Sequence, residues 1–404
     1  MTLSVDDNGS MDAMQRSEAT TVERAVTGRV APSGIWMHVV FVLTGLGILI
    51  LGPILPLLTR QWHLQDAQSG LLFSAEFYGS FLGGFTVSKN LHRSMTVGTL
   101  AAALGFGAFA LAPGLVPACA ALFVGGYGLG QLITSVNILA GRRYTAQRGS
   151  ALALLNFSWS FGAMLSPLLA GWLTSRFALR TLLGVFAGAF LLALIALLIE
   201  RRGAVAEVFA TEEVVSGKGL RLPLFAYFCG LLILYGGLET CLGGWLTTYS
   251  LRYATRSLLL SEYTMVLLLA GLTAGRAASS LLLLRMGERL LLRLSLALAA
   301  AFTAALALTH SAAGIAVFAV LLGLSLAPFF PATFSLLIAD RPTARQAGIV
   351  LAVSALGAAS LPWLMGVIST RTGSLQFALI LPFAAALALL GMSLLQPPPR
   401  AAED

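Results

Sequence analysis

Charge is what this chain has least of. Asp, Glu, Lys and Arg make up 10% of its 404 residues, against 57% apolar residues. A soluble domain usually carries about 25% charge, so the composition excludes a soluble globular protein and points to an integral membrane one. Cysteine and histidine are also scarce. Cys119, Cys229 and Cys241 fall in apolar segments with no disulfide or metal-ligand spacing, and His38, His63, His92 and His310 lie far apart, so no metal site is expected. No glycine-rich phosphate loop with a lysine and no nucleophile–base motif occurs, and the loops are too short to hold a catalytic domain. The chain therefore reads as a non-enzyme without a cofactor. The net charge of +8 is scattered through short loops rather than gathered in a patch, which argues against a nucleic-acid partner. Residues 1–34 lack an apolar run, unlike a secretory signal. Their mixed polar composition reads as a disordered cytoplasmic tail.

Long apolar runs fill the rest. A helix needs about 20 apolar residues to cross the hydrocarbon core. Twelve candidate spans follow, at about 35–59, 68–88, 94–113, 116–140, 149–174, 179–199, 222–250, 258–284, 290–309, 312–339, 345–369 and 374–395. A charged linker at 200–221 divides them into an N-terminal half, 35–199, and a C-terminal half, 222–396, with a short tail at 397–404. With the N-terminus inside, most of the 25 basic residues fall on the cytoplasmic side, leaving Arg60, Arg176, Arg180, Arg252, Arg256 and Arg371 outside. This asymmetry predicts a multi-pass protein of the inner (cytoplasmic) membrane with both termini cytoplasmic. The expected partners are the lipid bilayer and a small-molecule substrate, and the expected state is a monomer.

The halves repeat. Gly128 and Gly323, Gly162 and Gly357, Pro167 and Pro362, and Gly171 and Gly366 are each 195 residues apart. Gly79/Gly83 and Gly271/Gly275 share a G-x-x-x-G spacing at an offset of 192. The predicted fold is all-α: twelve transmembrane helices in two parallel six-helix halves, related by a pseudo-two-fold axis around a central cavity. Substrate sites in such an architecture lie near the midplane between the halves.

Three ionisable residues are predicted deep in spans: Glu76 in the second, Glu239 in the seventh and Arg276 in the eighth. Such residues are costly in a membrane and mark ion or substrate pathways. Glu239 has no basic residue within ten positions on either side. One reading is that an acid here gains and loses a proton, or ligates sodium, during transport. The other is a static Glu239–Arg276 pair that staples two helices together. Gln131, Thr134 and Asn137 recur along one drifting helical face of the fourth span, and Asn156, Trp159 and Ser160 share a face of the fifth. Amides suit hydroxyl-rich ligands. Trp159, Trp245 and Trp363 are candidates to stack on a sugar ring, or else mark the membrane interface.

The string around Glu239, Y-G-G-L-E-T-C-L-G-G-W-L-T-T-Y at 235–249, resembles the seventh helix of the fucose–proton symporter (sugar permease) family of the major facilitator superfamily. Tyr235, Gly237, Glu239, Gly244, Trp245, Leu246 and Tyr249 carry that match. Thr273, Gly275 and Arg276 are similar to its eighth helix, Gly128, Leu129, Gly130 and Asn137 to its fourth, and Gly323, Leu324, Ser325, Ala327, Pro328, Phe330 and Pro331 to its tenth. The resemblance spans most of residues 35–395. It implies the major facilitator fold and sugar transport by alternating access, coupled to protons or sodium. Two departures stand out. Ile133 replaces the acid that family symporters carry four residues before the helix-4 Asn, and the first span has no acid. Coupling would then fall to Glu239 or Glu76. Ser88 replaces the acid of the loop motif after the second helix.

Two other readings remain. G-x-x-x-S-P-x-x-A-G from Gly162 is a degenerate form of the antiporter motif, which suggests a drug or metabolite–proton antiporter. A non-transporting membrane sensor has no use for the two Glu residues and the amide faces.

Overall fold

Several of the apolar runs begin on polar groups that satisfy their helix ends. Ser33 accepts from the Trp36 amide, Asn90 from Arg93, Ser311 from Gly314 and Ser374 from Phe377, so four helices start on side-chain caps. Gly373, with φ of 69°, closes another helix in the left-handed conformation. The computed structural model describes residues 33–88, 90–143, 148–203, 219–254, 261–282, 285–340, 342 and 344–395. The expected N-terminal tail up to residue 32, linker residues 204–218 and the expected C-terminal tail lie outside them.

The first half comprises α1 (Gly34–Gln61), α2 (Asp66–Phe85), α3 (Leu91–Ala110), α4 (Leu115–Arg143), α5 (Arg148–Thr174) and α6 (Leu179–Gly203). The second comprises α7 (Leu222–Tyr253), α8 (Thr264–Leu282), α9 (Glu288–Ala307), α10 (Ala312–Leu326), α11 (Phe329–Ala339), α12 (Ala344–Ala352), α13 (Ser354–Thr372), α14 (Leu375–Ala378) and α15 (Ile380–Leu394). These make twelve crossings, the last three each in two pieces. Pro328 lies in the α10–α11 break, where its ring removes an amide and clashes with the preceding turn. The Tyr235 hydroxyl donates to the Leu326 carbonyl at the break, at 3.1 Å. Membrane helices tolerate such breaks where a neighbour satisfies the released backbone.

Eight of the described helical segments are long and apolar enough to span a membrane by length and composition. Apolar side chains are outward as well as inward: Leu104 is 60% exposed, Leu192 69% and Ile199 63%. A surface of that kind suits lipid and not water.

Inside each half, the helices meet through glycine seams. A Cβ on Gly79 would lie 2.1 Å from the Phe123 carbonyl oxygen, and one on Gly126 would lie 1.9 Å from that of Glu76. The α2 and α4 backbones therefore touch. The second half repeats this between α8 and α10, where Gly271 faces the Val320 carbonyl and Gly323 that of Leu268. A second pair of seams joins α1 to α5, through Gly45 and Gly162, and α7 to α13, through Gly236 and Gly357. Of the glycines repeated in the sequence, Gly79 and Gly271, Gly162 and Gly357, and Gly323 fall in these seams, whereas Gly128 packs on α3 at Ala102, Gly171 on Tyr263 and Gly366 on the Asp66 backbone. Each half thus uses the same two backbone-to-backbone contacts.

The halves meet chiefly where α2 runs along α13. At one end the Asp66 carboxylate takes both Arg252 terminal nitrogens at 2.5 and 2.6 Å, and the Ser369 hydroxyl at 2.5 Å. The Ala67 amide donates to Thr370, Gly70 abuts the Trp363 backbone, and Ser74 donates to the Ala359 carbonyl at 2.6 Å. Tyr78 and Ser360 share a hydrogen bond at 3.0 Å. The crossing contacts of α2 thus run from Asp66 to Tyr78.

Gly126→Ala is expected to lower stability by about 1–3 kcal/mol through overpacking, whereas Gly188→Ala, which would meet nothing within 4 Å, should be neutral or slightly stabilising. Thermal unfolding midpoints in detergent check this. Asp66→Asn weakens a charge-assisted clasp, so disulfide bridging between Ala67→Cys and Thr370→Cys should slow about tenfold. An unchanged bridging rate would show that the clasp does not hold this end closed.

Candidate functional site

The deep ionisable residues separate into two environments. Glu76 sits on the α2 face that forms the glycine seam with α4. It is fully buried, and neither carboxyl oxygen has a hydrogen-bond partner among the described residues. An ionised carboxylate without partners in a low-dielectric interior costs far more than a neutral carboxyl.

Glu239 and Arg276 lie instead where the halves meet, with side chains 33% and 32% exposed. α7 and α8 belong to the second half, and α5 of the first packs against α8. Arg276 Nη1 donates to Ser160 Oγ on α5 at 2.8 Å, while Nη2 stands 4.0 Å from Glu239 Oε1. The expected Glu239–Arg276 pair is therefore present, but open. The guanidinium commits its short bond to a hydroxyl across the interface. One turn before Glu239, Tyr235 is buried. It stacks on Phe329 with ring centroids 4.0 Å apart, beneath the broken tenth crossing. Tyr235 lies within electrostatic reach of both charged groups.

The neutral candidates divide likewise. Asn156 is exposed on α5, one turn before Ser160. Asn137 is half-buried, and its amide donates to its own helix at the Ile133 carbonyl. Gln131 is buried inside the first half, where its amide nitrogen donates to Thr86 and Tyr127 at 3.0 and 3.1 Å. Trp159 is half-buried, and its backbone carbonyl forms the α1 seam at Gly45. Trp245 is buried, with its indole donating to the Pro362 carbonyl at 3.0 Å and its ring beside Phe73 of the first half. Trp363, 40% exposed, backs onto Gly70. The structure thus unites Glu239, Arg276, Tyr235 and the Asn156–Ser160 face. It sets Glu76 and Gln131 apart inside one half, and places Trp245 and Trp363 toward the Asp66 end. Among the described residues, no three His, Cys, Asp or Glu side chains converge as metal ligands.

Sequence reasoning missed the Asp66–Arg252–Ser369 clasp. Asp66 and Arg252 stand at ends of their helices and read as ordinary loop-end charges, and 186 residues separate them. The available signal was that an acid opening the second span and a base closing the seventh lie at the same predicted membrane face.

The chain's architecture is shared with solved transporters. A bacterial homologue of the human lysosomal transporter Spinster, in an inward-facing and occupied conformation, superposes with a TM-score of 0.73 at 13% identity, over 90% of this chain and 95% of that one. A variant of the E. coli fucose:proton symporter FucP superposes with a TM-score of 0.61 at 15% identity, over 90% and 98%. FucP in an outward conformation gives 0.61 at 16% identity, over the same shares. Comparison with curated protein sequences finds no match. The sequence model of the Major Facilitator Superfamily matches residues 37–348, which is most of the twelve-crossing region. The chain is a member of the Major Facilitator Superfamily.

Proposed function

We propose that this protein is a secondary active transporter that moves a small polar solute, foremost a sugar, across the inner membrane by alternating access with proton coupling. Glu239 is the coupling acid in this reading. The observation that carries it is the position of Glu239 and Arg276: partly exposed, open to each other, and at the meeting of the halves. A coupling group must be reachable by ion and solute and must sense the relative position of the halves. Asn156 and Ser160 supply polar groups on the facing helix. Tyr235 and Trp245 shape the α7 wall, and Gln131 and Asn137 are the amides that α4 contributes from within the first half. Glu76, enclosed in one half, is a second proton-holding group in this scheme. Sodium in place of the proton would need further oxygen ligands at Glu239. The FucP structures are those of a fucose:proton symporter, which agrees with the motif resemblance at residues 235–249. In this reading both termini lie in the cytoplasm, the working unit is a monomer, and the protein acts as a carrier rather than an enzyme.

Proton-driven efflux of a drug or metabolite is the second reading. It rests on the string from Gly162, where Gly162 meets the Val42 carbonyl and Ser166 donates to that of Leu46 at 3.1 Å. That close α1–α5 seam falls at the position of the antiporter motif.

Reconstituted into liposomes, the wild-type protein should accumulate a sugar from a broad panel when a proton gradient is imposed. Glu239→Gln should abolish accumulation while leaving counterflow measurable. Accumulation that survives this change would remove Glu239 from the coupling role. Failure of the whole sugar panel, together with raised sensitivity of a deletion strain to lipophilic cations, would favour efflux.

A further inference from the structure

The unequal distances around Arg276 have a chemical meaning. Charge-assisted Arg–carboxylate pairs close to about 2.7–2.9 Å and are often bidentate. This protein makes one such pair at Asp66–Arg252, with bonds of 2.5 and 2.6 Å. Glu239 is one helix away from Arg276, yet the separation is 4.0 Å, and a neutral hydroxyl takes the 2.8 Å bond. An ionised carboxylate would outcompete a serine hydroxyl for a guanidinium in a partly desolvated site, because it accepts with a full charge. A carboxyl that carries its proton draws the guanidinium less strongly, and the longer Glu239 contact beside the short Ser160 bond fits that state.

The two competing partners lie in different halves. Glu239, on α7, shares a half with Arg276, whereas Ser160, on α5, belongs to the other. We propose that Ser160 and Glu239 compete for Arg276, so that a proton on Glu239 ties α8 to α5 and loss of that proton releases the tie. Ser160 is then a positioning residue: it converts the protonation of an acid in one half into a bond between the halves. This inference rests on the coupling role given to Glu239 above. α7 presents Glu239 and Tyr235 toward Arg276, α10 carries no titratable side chain, and α5 itself has only Arg148, at its first residue. α1, packed along α5, adds His38, whose ring shares a 2.8 Å hydrogen bond with Ser158; a pH response that persists in Glu239→Gln would therefore come from that side and overturn the assignment to Glu239. At the far end of the α5–α8 contact Gly171 faces the Tyr263 ring, close enough that a Cβ there would lie 3.2 Å from the phenol oxygen.

Spin labels at Leu154 on α5 and Leu282 on α8 test this by pulsed dipolar distance measurement in nanodiscs without added solute. Both positions are exposed, at the ends of the two helices remote from the Gly171–Tyr263 contact. The labelled protein with native Ser160 should show a short, narrow population at low pH that gives way to a broader one through a single midpoint as pH rises. Glu239→Gln should hold the short population at every pH. Ser160→Ala should reduce the low-pH short population about tenfold, the weight of one hydrogen bond to a charged group, and Ser160→Thr should restore it. A distance distribution that ignores pH, or a Ser160→Ala variant that follows the parent's pH course, would overturn the proposal. The two readings separate cleanly. If accumulation survives Glu239→Gln while the pH-dependent distance persists in the parent, the coupling role falls and the competition stands. If Glu239→Gln abolishes accumulation but the distance ignores pH, the competition falls and the coupling role stands.

Discussion

Backbone contact through glycine is the constraint on which the rest of this structure depends. Between apolar helices in lipid there is no water to expel, so association relies on close packing. At Gly126, Gly79, Gly162 and Gly357 the packing is so close that no side chain fits against the facing carbonyl. Each half is thereby locked along two seams. What is left to move is the relation between the halves, where glycine contacts such as Gly70 on the Trp363 backbone are accompanied by side-chain contacts that can exchange partners.

The polar groups follow this division of labour. Those within a half close local accounts: Tyr235 satisfies the carbonyl at the broken tenth crossing, Trp245 that of Pro362, and Gln131 ties α4 to Thr86. Those between halves are charged or hydroxylic and reversible in kind, as at Asp66–Arg252, Tyr78–Ser360 and Arg276–Ser160. A transporter that rocks two rigid bodies needs permanent bonds inside each body and exchangeable ones between them.

Much of the architecture was legible in the sequence. The count of crossings and their approximate limits follow from the length of apolar runs, because the bilayer sets a minimum span. The repeat offsets of 192 and 195 residues pointed to two related halves, and the seams give them a physical basis. The breaks at Val353 and Leu379 were not legible, since neither residue is a proline or glycine that would announce one. Of the candidate site, Glu239 and Arg276 were legible as costly charges with few ways to be tolerated. Their partnership came out differently, with Ser160 in the closest contact.

Composition and periodicity thus determined by themselves that the chain is a bundle of apolar helices, that it is duplicated, and which residues are expensive to bury. Those properties are local or statistical, summed along the chain. Only the tertiary structure decided which expensive residue meets which partner: Glu76 enclosed without a hydrogen-bond partner among the described residues, Asp66 clasped by Arg252, Arg276 shared unequally between Ser160 and Glu239. Hydrogen bonding depends on tenths of an ångström between residues more than a hundred positions apart. Helix rotation and seam geometry set those distances, and no spacing along the chain encodes them.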